Sequence, residues 1–143
     1  MSLSRRASRS QAVAASLMLF TTVALSASDT ARDSQVAVPD ADGVQRVRII
    51  GGEYFFKPTR IVVKANRPVE LLASREAGVV PHNLMIVAPA AGVSVKEDLA
   101  TDIKKIGFTP TAPGVYPIYC DKKLLFFASH REKGMEGVLE VVP

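Results

Sequence analysis

The chain holds one cysteine, Cys120, and two histidines, His82 and His130. Nine residues separate Cys120 from His130, and four more lie between His130 and Met135. His82 stands 38 positions before the cysteine. One thiolate, two imidazoles and a thioether are soft or borderline donors, which select copper over hard cations. A thiolate and two imidazoles in a plane suit Cu(I) and Cu(II) alike. A thioether at longer range completes such a site without forcing the tetragonal geometry that Cu(II) alone prefers. Little rearrangement then accompanies a change of oxidation state. The residues therefore point to one copper ion per chain, with His82, Cys120, His130 and Met135 as candidate ligands. Other chemistry fits less well. A Cys–His nucleophile needs an orienting Asn or Asp and a substrate cleft; Asn83 and Asp121 adjoin the candidates, but no protease signature surrounds them. Zinc accepts the nitrogens and the thiolate, but a thioether is a poor zinc ligand.

The elements that must position these residues read as short strands divided by turn signals. Strands are expected over 44–50, 59–64, 69–74, 83–87, 104–108, 115–120 and 137–142. Turns are expected at Gly51-Gly52, at Asn66-Arg67-Pro68, and over 89–92 and 110–114. Seven strands at this spacing suggest an all-β, single-domain, antiparallel sandwich. Ser94 with Glu97 forms a capping-box pattern, so one short helix is expected over 94–103. Pro117 cannot donate a ladder hydrogen bond, so its strand must be an edge there or carry a bulge.

The 143 residues have room for one domain. Residues 1–27 read as a secretory signal: Arg5, Arg6 and Arg9, a mostly apolar run over 12–27, then small residues that offer a cut after Ser26 or Ala27. The run is short for a membrane span, which needs about 20 residues, so membrane contact is expected only through an uncleaved leader. Ser4-Arg5-Arg6 matches a twin-arginine signal only in part, because Ser8 stands where an apolar residue is usual. Residues 28–43 are polar and read as a flexible lead-in, and the domain is expected over 44–143. Without the leader there remain 15 basic and 14 acidic side chains, a net charge of +1. That excludes the basic stripe of a nucleic-acid binder. The single cysteine excludes an internal disulfide and any site needing two thiolates.

At these residues the sequence resembles the cupredoxin, or plastocyanin-like, family, over roughly residues 44–142. Gly114-Val115-Tyr116-Pro117-Ile118-Tyr119-Cys120 is similar to the family's Gly-x-Tyr-x-aromatic-x-Cys strand, with Ile118 in place of an aromatic. Phe56-Lys57-Pro58, Ile61-Val62-Val63 and Pro68-Val69 are similar to its opening strands, and His82-Asn83 to its first ligand and the residue after it. The resemblance implies a Greek-key sandwich in which His82, Cys120, His130 and Met135 ligate copper and Asn83 links the two ligand loops. The nine residues between Cys120 and His130 depart from plastocyanins and azurins, where the loop is much shorter. The blue-copper domain of copper nitrite reductases has a similarly long loop. A second catalytic copper would need further histidines, and a binuclear centre a second cysteine; the chain has neither.

The function so implied is that of a periplasmic, monomeric one-electron carrier, not an enzyme. Its partner would be a redox protein such as a cytochrome, met near His130. The alternative is copper handling: storage, delivery or tolerance. Beyond the leader only Met85 and Met135 remain, so the exposed methionine clusters common in trafficking proteins are lacking. Leu124, Leu125, Phe126 and Phe127 run consecutively, surrounded by the basic Lys122, Lys123, Arg131 and Lys133 against the acidic Asp121, Glu132 and Glu136. Alternate positions of an extended segment face opposite ways, so at least one of the four should be exposed as a docking surface.

Overall fold

The protein is described by a computed structural model over residues 33–143. The expected signal segment 1–27 and the beginning of the expected lead-in lie outside the described residues. Ten strands follow in chain order: β1 (Ser34–Val36), β2 (Gln45–Gly52), β3 (Phe55–Lys57), β4 (Arg60–Lys64), β5 (Val69–Arg75), β6 (Asn83–Ala88), β7 (Val93–Asp98), β8 (Lys104–Phe108), β9 (Gly114–Tyr119) and β10 (Glu136–Val142). They form a six-stranded sheet, β1-β4-β10-β9-β6-β7, and a four-stranded sheet, β3-β2-β5-β8. The all-β sandwich follows from period-two patterning. In β2, Val47 and Ile49 are buried while Arg48 faces water; in β4, Ile61 and Val63 point inward. Phe56, Leu71, Leu84, Ile86, Ile118 and Leu139 fill the space between the sheets. Gln45, fully buried on β2, spans it: its Nε2 donates to the Lys64 carbonyl at 3.0 Å, and the Lys64 N–H donates to its Oε1 at 2.7 Å.

Four expectations are corrected. First, no helix occupies 94–103. Residues Val93–Asp98 form β7, antiparallel to β6, because Val93 and Val95 are buried while Ser94 and Lys96 are exposed, a period of two. The helical structure among the described residues is one 3-10 turn, Pro89–Ala91. Second, the sheet begins before residue 44. β1 lies parallel to β4 in the register Ser34↔Arg60, and the Ala37 N–H donates to the Val62 carbonyl at 2.8 Å. Backbone bonding to a strand edge recruits this stretch, of which Ala37 is buried while Val36 and Val38 stay exposed. Third, the sandwich is mixed, not antiparallel throughout: β1–β4, β4–β10 and β2–β5 run parallel.

The fourth correction is that Gly51-Gly52 is not a turn but the end of β2, paired with β3. The need for glycine there is close approach. A Cβ on Gly51 would stand 2.9 Å from Leu99 Cδ1 and 3.1 Å from Met135 Cε. The reversal falls instead on Glu53 and Tyr54, whose φ is +63°. Pro117 is accommodated within its sheet. The Val138 N–H donates to the Thr59 carbonyl at 2.7 Å, away from β9, so the facing pair Val138↔Pro117 needs no hydrogen bond. On its other side β9 bridges β6 only at Met85↔Tyr119, so the proline sits where the strand is an edge.

Candidate metal centre

Three neighbouring strands set the centre. β9 runs antiparallel to both β10 and β6, so the end of β9 lies beside the starts of β6 and β10. Cys120 follows β9, Met135 precedes β10 and His82 precedes β6. Backbone hydrogen bonds fix these ends. The Cys120 N–H donates to the Met135 carbonyl at 3.2 Å, and the Leu99 N–H to the His82 carbonyl at 2.9 Å.

His130 is folded back by a local code. The Ser129 N–H donates to Glu132 Oε2 at 2.7 Å, and the Glu132 N–H donates to Ser129 Oγ at 3.2 Å, the reciprocal capping pattern, here opening a single turn. Gly134, with φ +98°, ends that turn. The His130 N–H donates to the Lys122 carbonyl and its own carbonyl accepts from the Met135 N–H, each at 2.9 Å. The loop thus closes at its base around the four candidate residues.

The side chains of His82, Cys120 and His130 converge. His82 Nδ1 and His130 Nδ1 are 3.1 Å apart, and His130 Nδ1 is 3.4 Å from Cys120 Sγ. One donor atom from each of the three residues lies within 4.8 Å of the others. All three residues are buried. Met135 is also fully buried, and its backbone bonds to both Cys120 and His130.

Burial, then the neighbouring His130, holds His82 below the ordinary imidazole range; burial, then Lys133, does the same for His130. Both rings therefore favour the neutral form that binds metals. Burial pushes the Cys120 thiol up, opposed by backbone N–H groups of Asn83 and Lys122. The Asn83 N–H donates to Cys120 Sγ at 3.4 Å, which favours a thiolate over a thiol. The Nδ1 atoms turn toward each other and toward sulfur, not toward a carboxylate, as ligands of a common ion would. One sulfur and two nitrogens, with a thioether on the same loop, fit copper better than zinc or a hard cation.

Asn83 links the loops, as the resemblance implies. Its Nδ2 donates to Asp121 Oδ1 at 2.6 Å, and the Asp121 N–H donates to its Oδ1 at 3.0 Å. Tyr54 was not foreseen. Its ring meets the His130 ring edge-on, with centroids 5.2 Å apart at 78°, and its hydroxyl accepts from Lys133 Nζ at 3.0 Å. No spacing signal marks Tyr54, because it reaches the site across the sandwich from the β2–β3 reversal. His130 is more buried than an exposed ligand edge requires, but it lines a groove of about 510 Å³ together with Tyr54, Val79, Lys123 and Leu124.

No protein-family model matches the sequence, and no curated protein matches it. Solved structures do. The metal-binding domain of the Cu(I)-exporting P-type ATPase CopA of Streptococcus pneumoniae D39 superposes with a TM-score of 0.59 at 20% identity, over 77% of this chain and 96% of that one. Reduced auracyanin of Roseiflexus castenholzii gives 0.53 at 20%, over 68% and 97%. Auracyanin B gives 0.53 at 22%, over 75% and 94%. The chain has the cupredoxin fold. At such identities the likeness establishes the cupredoxin architecture alone, and the site rests on this chain's own residues.

Proposed function

We propose that the protein binds one copper ion through His82, Cys120 and His130, with Met135 as the axial ligand, and works as a one-electron carrier in the periplasm. The observation that carries this reading is the convergence of the chain's only thiol with both its histidines at one end of the sandwich. Bound copper would supply a one-electron couple between Cu(I) and Cu(II). The protein's part is to hold the donors still. Cys120 is anchored by β9, by the Met135 carbonyl and by the Asn83 N–H; His130 by the Lys122 carbonyl and the Tyr54 ring. Donors fixed in this way resist rearrangement when the charge changes. The His130 groove offers the way out for an electron, to a redox protein such as a cytochrome.

A second reading, copper delivery, is favoured by one observation: a domain of a Cu(I)-exporting ATPase shares the fold over nearly its whole length. One experiment separates the two. Protein loaded with Cu(I) is mixed with an oxidised cytochrome, and separately with a competing Cu(I) chelator. A carrier reduces the cytochrome and keeps its copper through repeated cycles. Rapid loss of copper to the chelator, with no cytochrome reduced, would establish delivery instead.

A further inference from the structure

The loop from Cys120 to His130 presents its apolar run in an unusual way. Leu124, Leu125, Phe126 and Phe127 are 65, 74, 85 and 52% exposed. A turn closed by the Phe127 N–H on the Leu124 carbonyl at 3.0 Å, with Leu125 at φ +50°, drives Leu125 and Phe126 to a protruding tip. The Phe126 and Phe127 rings lie together with centroids 5.0 Å apart. Across the groove stands Val79, 99% exposed. Lys122, Lys123 and Lys133 are the charged side chains that line this groove. Lys122 Nζ pairs with Asp98 Oδ1 at 2.6 Å, and Lys133 Nζ donates to the neutral Tyr54 hydroxyl, so Lys123 and Lys133 carry the charge offered to a ligand.

Four consecutive apolar side chains all meet solvent, Leu124 and Phe127 along the groove and Leu125 and Phe126 at the turn beyond it. A rigid protein face would cover one side of such a tip and leave the others wet. A fluid acyl layer surrounds all of it, while lysines at its base remain among the headgroups. The lysine lining matches a negatively charged surface. We propose that the loop tip, Leu124 to Phe127, inserts into the interface of an anionic lipid bilayer, with Lys122, Lys123 and Lys133 at headgroup level. Membrane contact would then be a property of the folded domain, beyond the leader to which the sequence assigned it. The proposal does not depend on the bound metal.

The chain has no tryptophan, so Phe126→Trp places a single reporter at the tip. The full chain is used without metal. It is mixed with vesicles of phosphatidylcholine, with or without phosphatidylglycerol, carrying brominated acyl chains. Vesicles with phosphatidylglycerol should shift the indole emission to the blue and quench it. A Val115→Trp variant, with its reporter on an exposed β9 position far from the loop, should show neither effect even if the N-terminal segment binds the vesicle. In the Phe126→Trp background, Leu125→Ser should weaken partitioning about tenfold and Lys123→Gln about fivefold. Absence of quenching, or equal quenching with and without phosphatidylglycerol, would overturn the proposal. So would emission that responds to an acidic soluble cytochrome but not to vesicles, which would assign the tip to a protein partner.

Discussion

Asn83 and Asp121 form a reciprocal pair, the Asn83 amide donating to the Asp121 carboxylate and accepting from the Asp121 N–H, at 2.6 and 3.0 Å. It joins the residue after His82 to the residue after Cys120, so the two candidate ligands are tied by side-chain bonding as well as by the sheet. Asn83→Ala leaves the Asp121 N–H without this partner. The variant should lose about 1–3 kcal/mol of stability, read by denaturant unfolding of the metal-free protein. Unchanged stability would show that water replaces the amide without loss.

Gly51 is predicted to accept a side chain only by displacing its neighbours. A Cβ there would press on Leu99 Cδ1 at 2.9 Å and Met135 Cε at 3.1 Å. Both are ends of flexible side chains, so Gly51→Ala should fold, at a cost of about 1–3 kcal/mol, with Met135 displaced. Denaturation gives the cost, and the visible spectrum of the copper-loaded variant should differ from that of the wild type. A spectrum and stability identical to wild type would place Met135 outside the centre.

Metal-free protein should weaken on mild acidification. His82 and His130 are held below their ordinary value of 6.5 in the fold. Between that value and the lower folded values the unfolded chain binds more protons, so stability rises with pH there. The contribution of the two rings is complete above about pH 6.5. It falls as pH drops toward the folded values and changes no further below them. The check is unfolding free energy against pH for the wild type and for His82→Gln/His130→Gln, in which this slope should flatten.

Met135→Gln should keep copper and lower its reduction potential, because axial ligands tune such centres more than they hold the ion. Potentiometric titration of the loaded variant tests this. Complete loss of copper would contradict the axial assignment.

The sequence displayed the candidate ligands by scarcity: with one thiol and two imidazoles in the chain, their grouping was visible before any fold was known. The seven strands it suggested carry local signals: apolar alternation in most, and in β6 a continuous apolar run, Leu84 to Val87, bounded by turn residues. β1 and β3 were missed because each has three residues and owes its conformation to a neighbour's backbone. The capping pattern was ambiguous in an instructive way. Ser94 and Glu97 match it but lie in β7, where Val93 and Val95 take the inward face, whereas Ser129 and Glu132 match it and do close a turn, the one that brings His130 home. The pattern states what a segment can do alone, and burial of its neighbours decides whether it does. Tyr54 is a contact across the sandwich, and no spacing along one strand encodes it.

The most direct test of the account is the visible absorption of copper-loaded protein together with metal analysis. Wild type should bind one copper per chain and show an intense thiolate-to-copper band on adding Cu(II). Cys120→Ser removes the only sulfur that can form that bond and should abolish the band. A variant that keeps the band, or a wild type that takes up copper without developing it, would contradict a centre built on Cys120.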